Sequence, residues 1–145
     1  MRIRLISVLA VFLCLIGPAL AAEPSRIDDP DRFSSQIFKL ISQIKSHDAA
    51  TQLAKAIGSP EQSAELEKSL KEFEGKKFDF GKKVYDKDYQ GALRQIVYYA
   101  YFENFGFLYF RFTFKMTSKG WYLANFFFKE SSQELFPKDL IEGPM

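Results

Sequence analysis

The feature that most constrains the fold is a run of aromatic residues from Tyr98 to Phe128. This stretch holds fifteen of the 24 aromatic residues of the chain, which has 16 Phe, 7 Tyr and 1 Trp. Large apolar residues recur at every second position between turns that contain glycine, and this period is typical of β-strands. Aromatic residues occupy both parities of the alternation, so both faces of the predicted sheet have something to bury or bind.

The first 21 residues have the features of a cleaved secretory signal. Arg2 and Arg4 form a basic start, the apolar stretch from Leu5 to Ile16 is too short to span a bilayer, and small residues follow at 19–21. We predict cleavage after residue 21 or 22, with an uncleaved membrane anchor as the alternative. The protein is therefore expected to be exported, to the periplasm if the host is a Gram-negative bacterium and otherwise into the medium.

Cleavage would leave 145 − 21 = 124 residues with balanced charge. The sequence has 20 basic and 18 acidic residues, and the loss of Arg2 and Arg4 gives 18 of each. This balance does not favour nucleic acid, or a membrane after signal cleavage, as a partner. Cys14 is the only cysteine, and the bulky residues before it do not resemble a lipoprotein signal. A hydrophobic core, without disulfides, then has to stabilise the mature domain.

The hydrophobic period changes once along the mature chain, from that of helices to that of strands. A polar, flexible leader is predicted over 22–30, followed by one domain over 31–137 and a C-terminal tail over 138–145. Three amphipathic helices are expected: one capped by Asp29 or Asp31, one from Asp48 to Ile57, and one opened by Ser59-Pro60-Glu61-Gln62. Four antiparallel strands follow, over about 76–87, 91–103, 107–117 and 121–130.

Two glycine-containing turns set the predicted register of the sheet. Asn104-Phe105-Gly106 and Ser118-Lys119-Gly120 fit three-residue hairpin loops with glycine in the left-handed position. Propagating these turns gives the pairs Phe102–Leu108, Ala100–Phe110, Tyr98–Phe112 and Ile96–Phe114, and then Phe110–Phe128, Phe112–Phe126 and Phe114–Ala124. We expect the helices to cover this even-numbered, apolar face, because a slip of one residue would mix polar residues into it.

The odd-numbered face is predicted to be an interaction surface. It is aromatic and partly basic, a composition enriched at the cores of protein interfaces. Arg111 is placed between Tyr99 and Phe127, where its guanidinium could stack on a ring or its stem could cover aromatic surface. The rows are Tyr101, Tyr109 and Lys129, then Tyr99, Arg111 and Phe127, then Val97, Thr113 and Asn125. We predict that all of these except Val97 and Thr113 contact a second copy, in a homodimer, or another protein.

Binding of a small apolar or aromatic ligand between helices and sheet is the alternative hypothesis. The residues predicted for such a pocket are Phe33, Ile37, Tyr98, Phe102, Phe112 and Phe126. The same side chains would serve equally well as a packed core, since aromatic residues at strand spacing facing amphipathic helices are what an interior requires. Sequence alone leaves both interpretations open.

Few residues are suited to catalysis or metal binding. His47 is the only histidine and stands at a predicted helix boundary, where a turn or capping role is the commoner one. Asp28, Asp29 and Asp31 precede a helix, which suits its dipole better than a calcium site that needs more oxygen ligands. The sequence therefore predicts no catalytic residue, no metal and no cofactor, and an enzyme of unknown type is the third hypothesis.

Two Gly-Lys-Lys sequences, at 75–77 and 81–83, surround the start of the first predicted strand. These lysines could hold an anion, but Asp79, Asp86 and Asp88 are interleaved with them and offset their charge. Lysines on an edge strand also prevent edge-to-edge pairing of sheets. We therefore predict that this strand lies at the sheet edge.

Helices followed by a long antiparallel meander resemble the small exported bacterial proteins of the NTF2-like, cystatin-like superfamily. The resemblance covers about 31–137, and its sequence anchor is Arg111-Phe112-Thr113-Phe114-Lys115 leading through a glycine turn into Gly120-Trp121-Tyr122-Leu123. It implies an α+β cone of N-terminal helices on a curved four-stranded meander, often with an apolar pocket and often dimeric through sheet faces. The superfamily includes enzymes, ligand binders and assembly modules, so it selects no single function. Its enzymes place a carboxylate or histidine inside the cone, and no residue here matches that pattern.

Overall fold

The computed structural model describes residues 22–130 as an α+β fold in which three helices pack on a curled, five-stranded antiparallel half-barrel. The helices are α1 (Pro30–Ser42), α2 (Ser46–Ile57) and α3 (Ser63–Leu70); the strands are β1 (Arg26–Ile27), β2 (Phe78–Tyr89), β3 (Leu93–Phe102), β4 (Gly106–Thr117) and β5 (Gly120–Lys129). The sheet order is β1-β5-β4-β3-β2. The α+β class is confirmed, as is the edge position of β2. The predicted signal peptide and C-terminal tail lie outside the described residues.

Local capping explains where the helices begin and end. The Asp29 carboxylate accepts hydrogen bonds from the backbone N–H groups of Asp31, at 2.9 Å, and Arg32, at 3.2 Å. Gly58 ends α2 in the left-handed conformation, with φ 83°. The capping box predicted at Ser59 does not form, because residues 60–62 make a 3₁₀ turn and the Ser59 side chain makes no capping hydrogen bond. Among residues 22–130, no helix is long and apolar enough to cross a membrane.

The prediction of four strands was wrong, because the expected flexible leader contributes a fifth. Arg26 pairs with Tyr122 and Ile27 with Trp121, so β1 covers the first part of the β5 edge. Ile27 is only 7% exposed and joins the core. A strand of two residues is too short to show a period in the sequence, and its pairing depends on an edge formed about a hundred residues later.

The pairing of β3 with β4 differs from the predicted register by two residues. Phe102 lies opposite Gly106, and Tyr98 lies opposite Phe110 rather than Phe112. The loop comprises residues 103–105, with Asn104 at φ 62°, a conformation that asparagine tolerates better than most residues. A shift of two residues keeps every side chain on its predicted face, so segregation of apolar residues does not distinguish the two registers.

The predicted pairing of β4 with β5 is confirmed at one end of the strands and was wrong at the other. Phe110 pairs with Phe128 and Phe112 with Phe126, as predicted, but a bulge at Ala124 then changes the register. Phe114 therefore lies opposite Leu123, which is 3% exposed, whereas Ala124 is exposed. The extra residue inverts the orientation of the side chains that precede it on β5.

The core lies between the helices and the even-numbered face, as predicted. The buried residues of β3 and β4 on this face are Ile96, Tyr98, Ala100, Phe102, Leu108, Phe110, Phe112 and Phe114. From the helices, Ile37 and Leu53 are completely buried against them. Gly81 makes room for another helix residue, because a Cβ on it would lie 2.5 Å from Cζ of Phe38. The odd-numbered face is thus left on the side of the sheet opposite the helices.

Candidate interaction surface

We use the term outer face for the paired residues of β2–β5 that point away from the helices. Its rows, taken from the strand pairing, are Phe80, Tyr101 and Phe107; Lys82, Tyr99, Tyr109 and Lys129; Tyr85, Val97, Arg111 and Phe127; Lys87, Gln95, Thr113 and Asn125; and Tyr89, Leu93, Lys115 and Tyr122. All seven residues predicted to bind a partner lie on this face. Their rows differ from the prediction, because β3 is displaced by two residues relative to β4.

One end of the outer face is an aromatic cluster of five rings: Phe80, Tyr99, Tyr101, Phe107 and Tyr109. Tyr99 stacks on Phe107 with ring centroids 5.6 Å apart, and it contacts Tyr109 at 5.7 Å and Phe80 at 6.1 Å. Tyr101 contacts Phe107 at 4.9 Å. Phe80 and Phe107 are each 52% exposed, which is unusual for phenylalanine. The cluster is therefore an apolar patch at the surface.

Two residues of this cluster, Phe80 and Phe107, were not among those predicted to form the interaction surface. Phe107 has the odd parity of the outer face and was predicted to begin its strand, but it was not included among the residues predicted to contact a partner. Phe80 has the opposite parity and reaches the outer face because a bulge between Phe78 and Phe80 inverts the alternation at the start of β2. The alternation alone therefore gave a signal for Phe107 but none for Phe80.

Arg111 lies near the middle of the outer face, between Val97 and Phe127. Its guanidinium carbon is 5.7 Å from the centroid of the Phe127 ring, and Lys129 Nζ is 5.2 Å from the same centroid, so the predicted stacking is with Phe127. Arg111 Nε is buried and has no hydrogen-bond partner among residues 22–130. Val97 is completely buried although it points away from the helices. The centre of the outer face is thus more buried than its edges.

The outer face is strongly basic. Its paired positions hold five basic residues, Lys82, Lys87, Arg111, Lys115 and Lys129, and no acidic residue. The first four of these form no ion pair with any residue between 22 and 130. The chain as a whole is close to neutral, so its charges are segregated by face.

A bulge in β2 between Lys83 and Tyr85, together with the alternation of side chains on either side of it, explains this segregation. Lys82 and Lys87 point outward, whereas Asp86 points toward the helix side and accepts hydrogen bonds from Arg94, at 2.9 and 2.8 Å, and from Lys83, at 3.0 Å. The two bonds from Arg94, followed by the single bond from Lys83, hold the pKa of Asp86 below its usual value. A hydrogen bond to Asp31 raises the pKa of Lys83. Asp86 therefore pairs with Lys83 and Arg94 on the helix side and does not offset the charge of Lys82 and Lys87 on the outer face.

The remaining titratable candidates are separate from one another. Asp28 pairs with Arg26, while Asp29 caps α1, so the acidic cluster is divided among different partners. His47 Nδ1 lies 2.8 Å from a Glu67 oxygen at the surface, and Glu67 also binds Lys71. Within residues 22–130, no three His, Cys, Asp or Glu side chains come together as metal ligands would.

The six residues predicted for a ligand pocket pack on one another and on the helices. Ile37, Phe102 and Phe112 are completely buried, and Tyr98 is 6% exposed. The Phe112 ring lies 5.0 Å from that of Phe126. Phe33 contacts Phe114 edge-on at 6.2 Å. A ligand between helices and sheet would have to displace packed rings.

The surface formed by residues 22–130 includes two open grooves, one of which reaches Phe33 at the edge of that interior. One, of about 400 Å³, runs between β1, α1 and α2 and includes Phe33, Arg32 and Lys55. The other, of about 600 Å³, lies beside the β4–β5 turn and includes Ile57 and Tyr122. Both are wide open to solvent, and neither holds converging catalytic groups.

Comparison with known proteins gives no match: no family model fits the sequence, and no curated protein or solved structure is significantly similar to the chain. The geometry of the outer face is therefore the main guide to function.

Proposed function

We propose that this protein is an exported, non-catalytic domain that docks an acidic segment of another protein on its outer face. The observation that carries the proposal is the combination of five basic residues and no acid around an aromatic cluster. Exposed aromatic rings supply apolar contact area, and four of the basic residues, Lys82, Lys87, Arg111 and Lys115, form no ion pair within residues 22–130 and supply charge complementarity to an acidic partner.

Charge favours a different protein over a second copy as the partner. In a symmetric dimer the same patch meets itself, so the five basic residues of one outer face would oppose those of the other. Juxtaposed like charges disfavour an interface. Of the two partners predicted for this surface, a homodimer and another protein, the proposal therefore adopts the second.

The ring contacts favour a protein partner over nucleic acid. Proteins that bind single strands present aromatic faces on which bases stack. Here Tyr99 and Phe107 stack on each other with an interplanar angle of 23°, and Tyr99 also contacts Tyr109 and Phe80. The rings are therefore packed into a continuous patch, which suits apolar side chains between acidic residues.

The test is binding of a fluorescent 12-residue peptide in which glutamate and tyrosine alternate. Reversing charge with the double substitution Lys82→Glu and Lys115→Glu is expected to weaken binding by about tenfold or more. Lys68→Glu is the matched control: Lys68 is exposed on α3, and its reversal should leave affinity within about twofold, because it lies outside the interface. Affinity for the wild type should fall as salt is raised.

Three results would contradict the proposal. One is equal binding by the wild type and the double variant. Another is tighter binding of a single-stranded oligonucleotide than of the peptide. The third is a stable dimer in sedimentation equilibrium that Lys82→Glu and Lys115→Glu dissociate or strengthen, which would identify the outer face as a self-association surface.

The proposed relationship to the NTF2-like, cystatin-like superfamily is supported by architecture only. A curled antiparallel meander that wraps on N-terminal helices is the arrangement that the resemblance implies. We propose the relationship on that basis, and it contributes nothing to the choice of partner.

A further inference from the structure

We propose that the acidic segment docked by this protein is bipartite. Its carboxylates lie over a row of hydrogen-bond donors toward one end of the outer face, and its apolar side chains lie over the aromatic cluster at the other end. This arrangement of the partner rests on the docking function proposed above.

One row of the outer face consists entirely of side chains that can donate hydrogen bonds. We use the term polar row for its four residues, one from each of β2–β5: Lys87, Gln95, Thr113 and Asn125. Within residues 22–130, the Thr113 and Asn125 side chains form no hydrogen bond, and Gln95 takes part only as an acceptor, 3.5 Å from the Tyr89 hydroxyl. An ammonium, two amides and a hydroxyl are thus left to donate to the oxygens of a carboxylate.

Positive charge surrounds the polar row. Arg111 and Lys115 flank Thr113 along β4, two residues away on either side, so their Cα atoms lie about 7 Å from that of Thr113. Lys87 belongs to the row itself. None of these three cations forms an ion pair in the described part of the chain, and no acidic residue occupies a paired position of the outer face. A carboxylate over the polar row therefore gains both hydrogen bonds and opposite charge.

The row at the opposite end of the outer face offers apolar contact and no cation. It comprises Phe80, Tyr101 and Phe107, and both phenylalanines are 52% exposed. A carboxylate placed there would lose water without gaining a charged partner, which is costly. Apolar side chains placed there would remove the exposed rings from water.

The distance between these two rows sets the length of the partner segment. Thr113 follows Phe107 by six residues on β4, which corresponds to about 20 Å along an extended strand. An extended partner therefore needs about seven residues to reach from one row to the other. A segment in which acidic and apolar residues alternate would place carboxylates over the rings, whereas separate acidic and apolar blocks would avoid that cost.

Two fluorescent 12-residue peptides of identical composition test this arrangement. The block peptide has six tyrosines followed by six glutamates, and in the other peptide the two residues alternate. We expect the block peptide to bind about tenfold or more tightly than the alternating one. Equal affinity, or tighter binding of the alternating peptide, would overturn the inference and leave the docking function intact. Failure of both peptides to bind would overturn the docking function itself.

Nitroxide labels at the two ends of the block peptide locate its halves on the wild-type protein. A nitroxide at the glutamate end should broaden the amide NMR signal of Thr113 more than that of Phe107, and a nitroxide at the tyrosine end should do the reverse. Paramagnetic broadening falls steeply with distance, so positions about 20 Å apart are distinguished. The same order of broadening from both labels would overturn the inference. Neither result depends on the folding of a variant.

A single added charge tests the polar row by affinity. Thr113→Glu places a carboxylate among Lys87, Arg111 and Lys115, and it should weaken binding of the block peptide by about tenfold or more. Thr51→Glu is the matched control, because it adds the same charge at an exposed position of α2, and it should leave affinity within about twofold. Weaker binding in both variants, or in neither, would contradict the placement of the carboxylates over the polar row.

Discussion

Replacement of Gly81 by alanine is expected to destabilise the fold by overpacking its interior. Gly81 lies on the helix side of β2, and a Cβ there would be 2.5 Å from Cζ of Phe38 and 2.9 Å from Cζ of Phe78. Carbon atoms in contact are normally about 3.5–4.0 Å apart, so the Phe38 ring would have to move by roughly 1 Å. The backbone of Gly81 does not have the positive φ that would itself penalise alanine.

The surroundings of Phe38 set the size of the effect. Its ring stacks on Tyr98 at 4.5 Å and meets the edge of Phe110 at 5.9 Å, so moving it disturbs other core rings. Overpacking of this kind costs about 1–3 kcal/mol, against which alanine in a strand gains about 0.5–1 kcal/mol over glycine. We expect a net loss of about 1–2 kcal/mol, or a fall in Tm of roughly 3–10 °C for a domain of this size.

Urea and thermal unfolding of a double-mutant cycle provide the assay. Phe38→Leu removes the ring that meets the new methyl group, so Gly81→Ala should cost much less in that background, with a coupling of about 1 kcal/mol. Gly91→Ala is the control: Gly91 has φ 73° and no neighbour within 4 Å of a Cβ, so its cost should not depend on Phe38. A Gly81→Ala protein as stable as the wild type, or a cost unaffected by Phe38→Leu, would refute the packing explanation.

Three further substitutions test other parts of the fold by their free energy of unfolding. Leu123→Asn should lower the free energy of unfolding by about 2–4 kcal/mol and Ala124→Asn by less than about 0.5 kcal/mol, because the bulge buries Leu123 and leaves Ala124 exposed. Equal losses for the two variants would contradict the position of the bulge. Ile27→Ala should lose about 2–3 kcal/mol, and no loss would show that β1 does not contribute to the core. Asp86→Asn should be less stable than the wild type near neutral pH. Because Arg94 lowers the folded-state pKa of Asp86 below 3.8, this difference should shrink as the pH falls below about 4, and a difference independent of pH would exclude the ion pair as its cause.

The outer face illustrates how far sequence reasoning can identify a candidate site. Parity alone assigned Tyr99, Arg111 and Phe127 to one face, because alternating side chains point to opposite sides of a strand. Parity could not show that Lys82 also lies on the outer face whereas Asp86 lies on the helix side, because two bulges change the parity along β2. The basic character of the face was therefore hidden in a sequence whose total charge is nearly balanced.

The sequence by itself determined the buried face of the central strands and the order of the three helices and the four long strands. The helical period placed the three helices, and the Asp29 cap marked the start of the first. The apolar even positions from Tyr98 to Phe114 specified the face that the helices cover, because a one-residue slip would bury polar groups. Only the tertiary structure decided the register within that face, the bulge at Ala124 and the fifth strand at Ile27. A two-residue shift leaves every side chain on the same face, and a two-residue strand depends on a distant edge, so neither leaves a local signal. These long-range choices bring the basic residues and the aromatic rings together on the outer face.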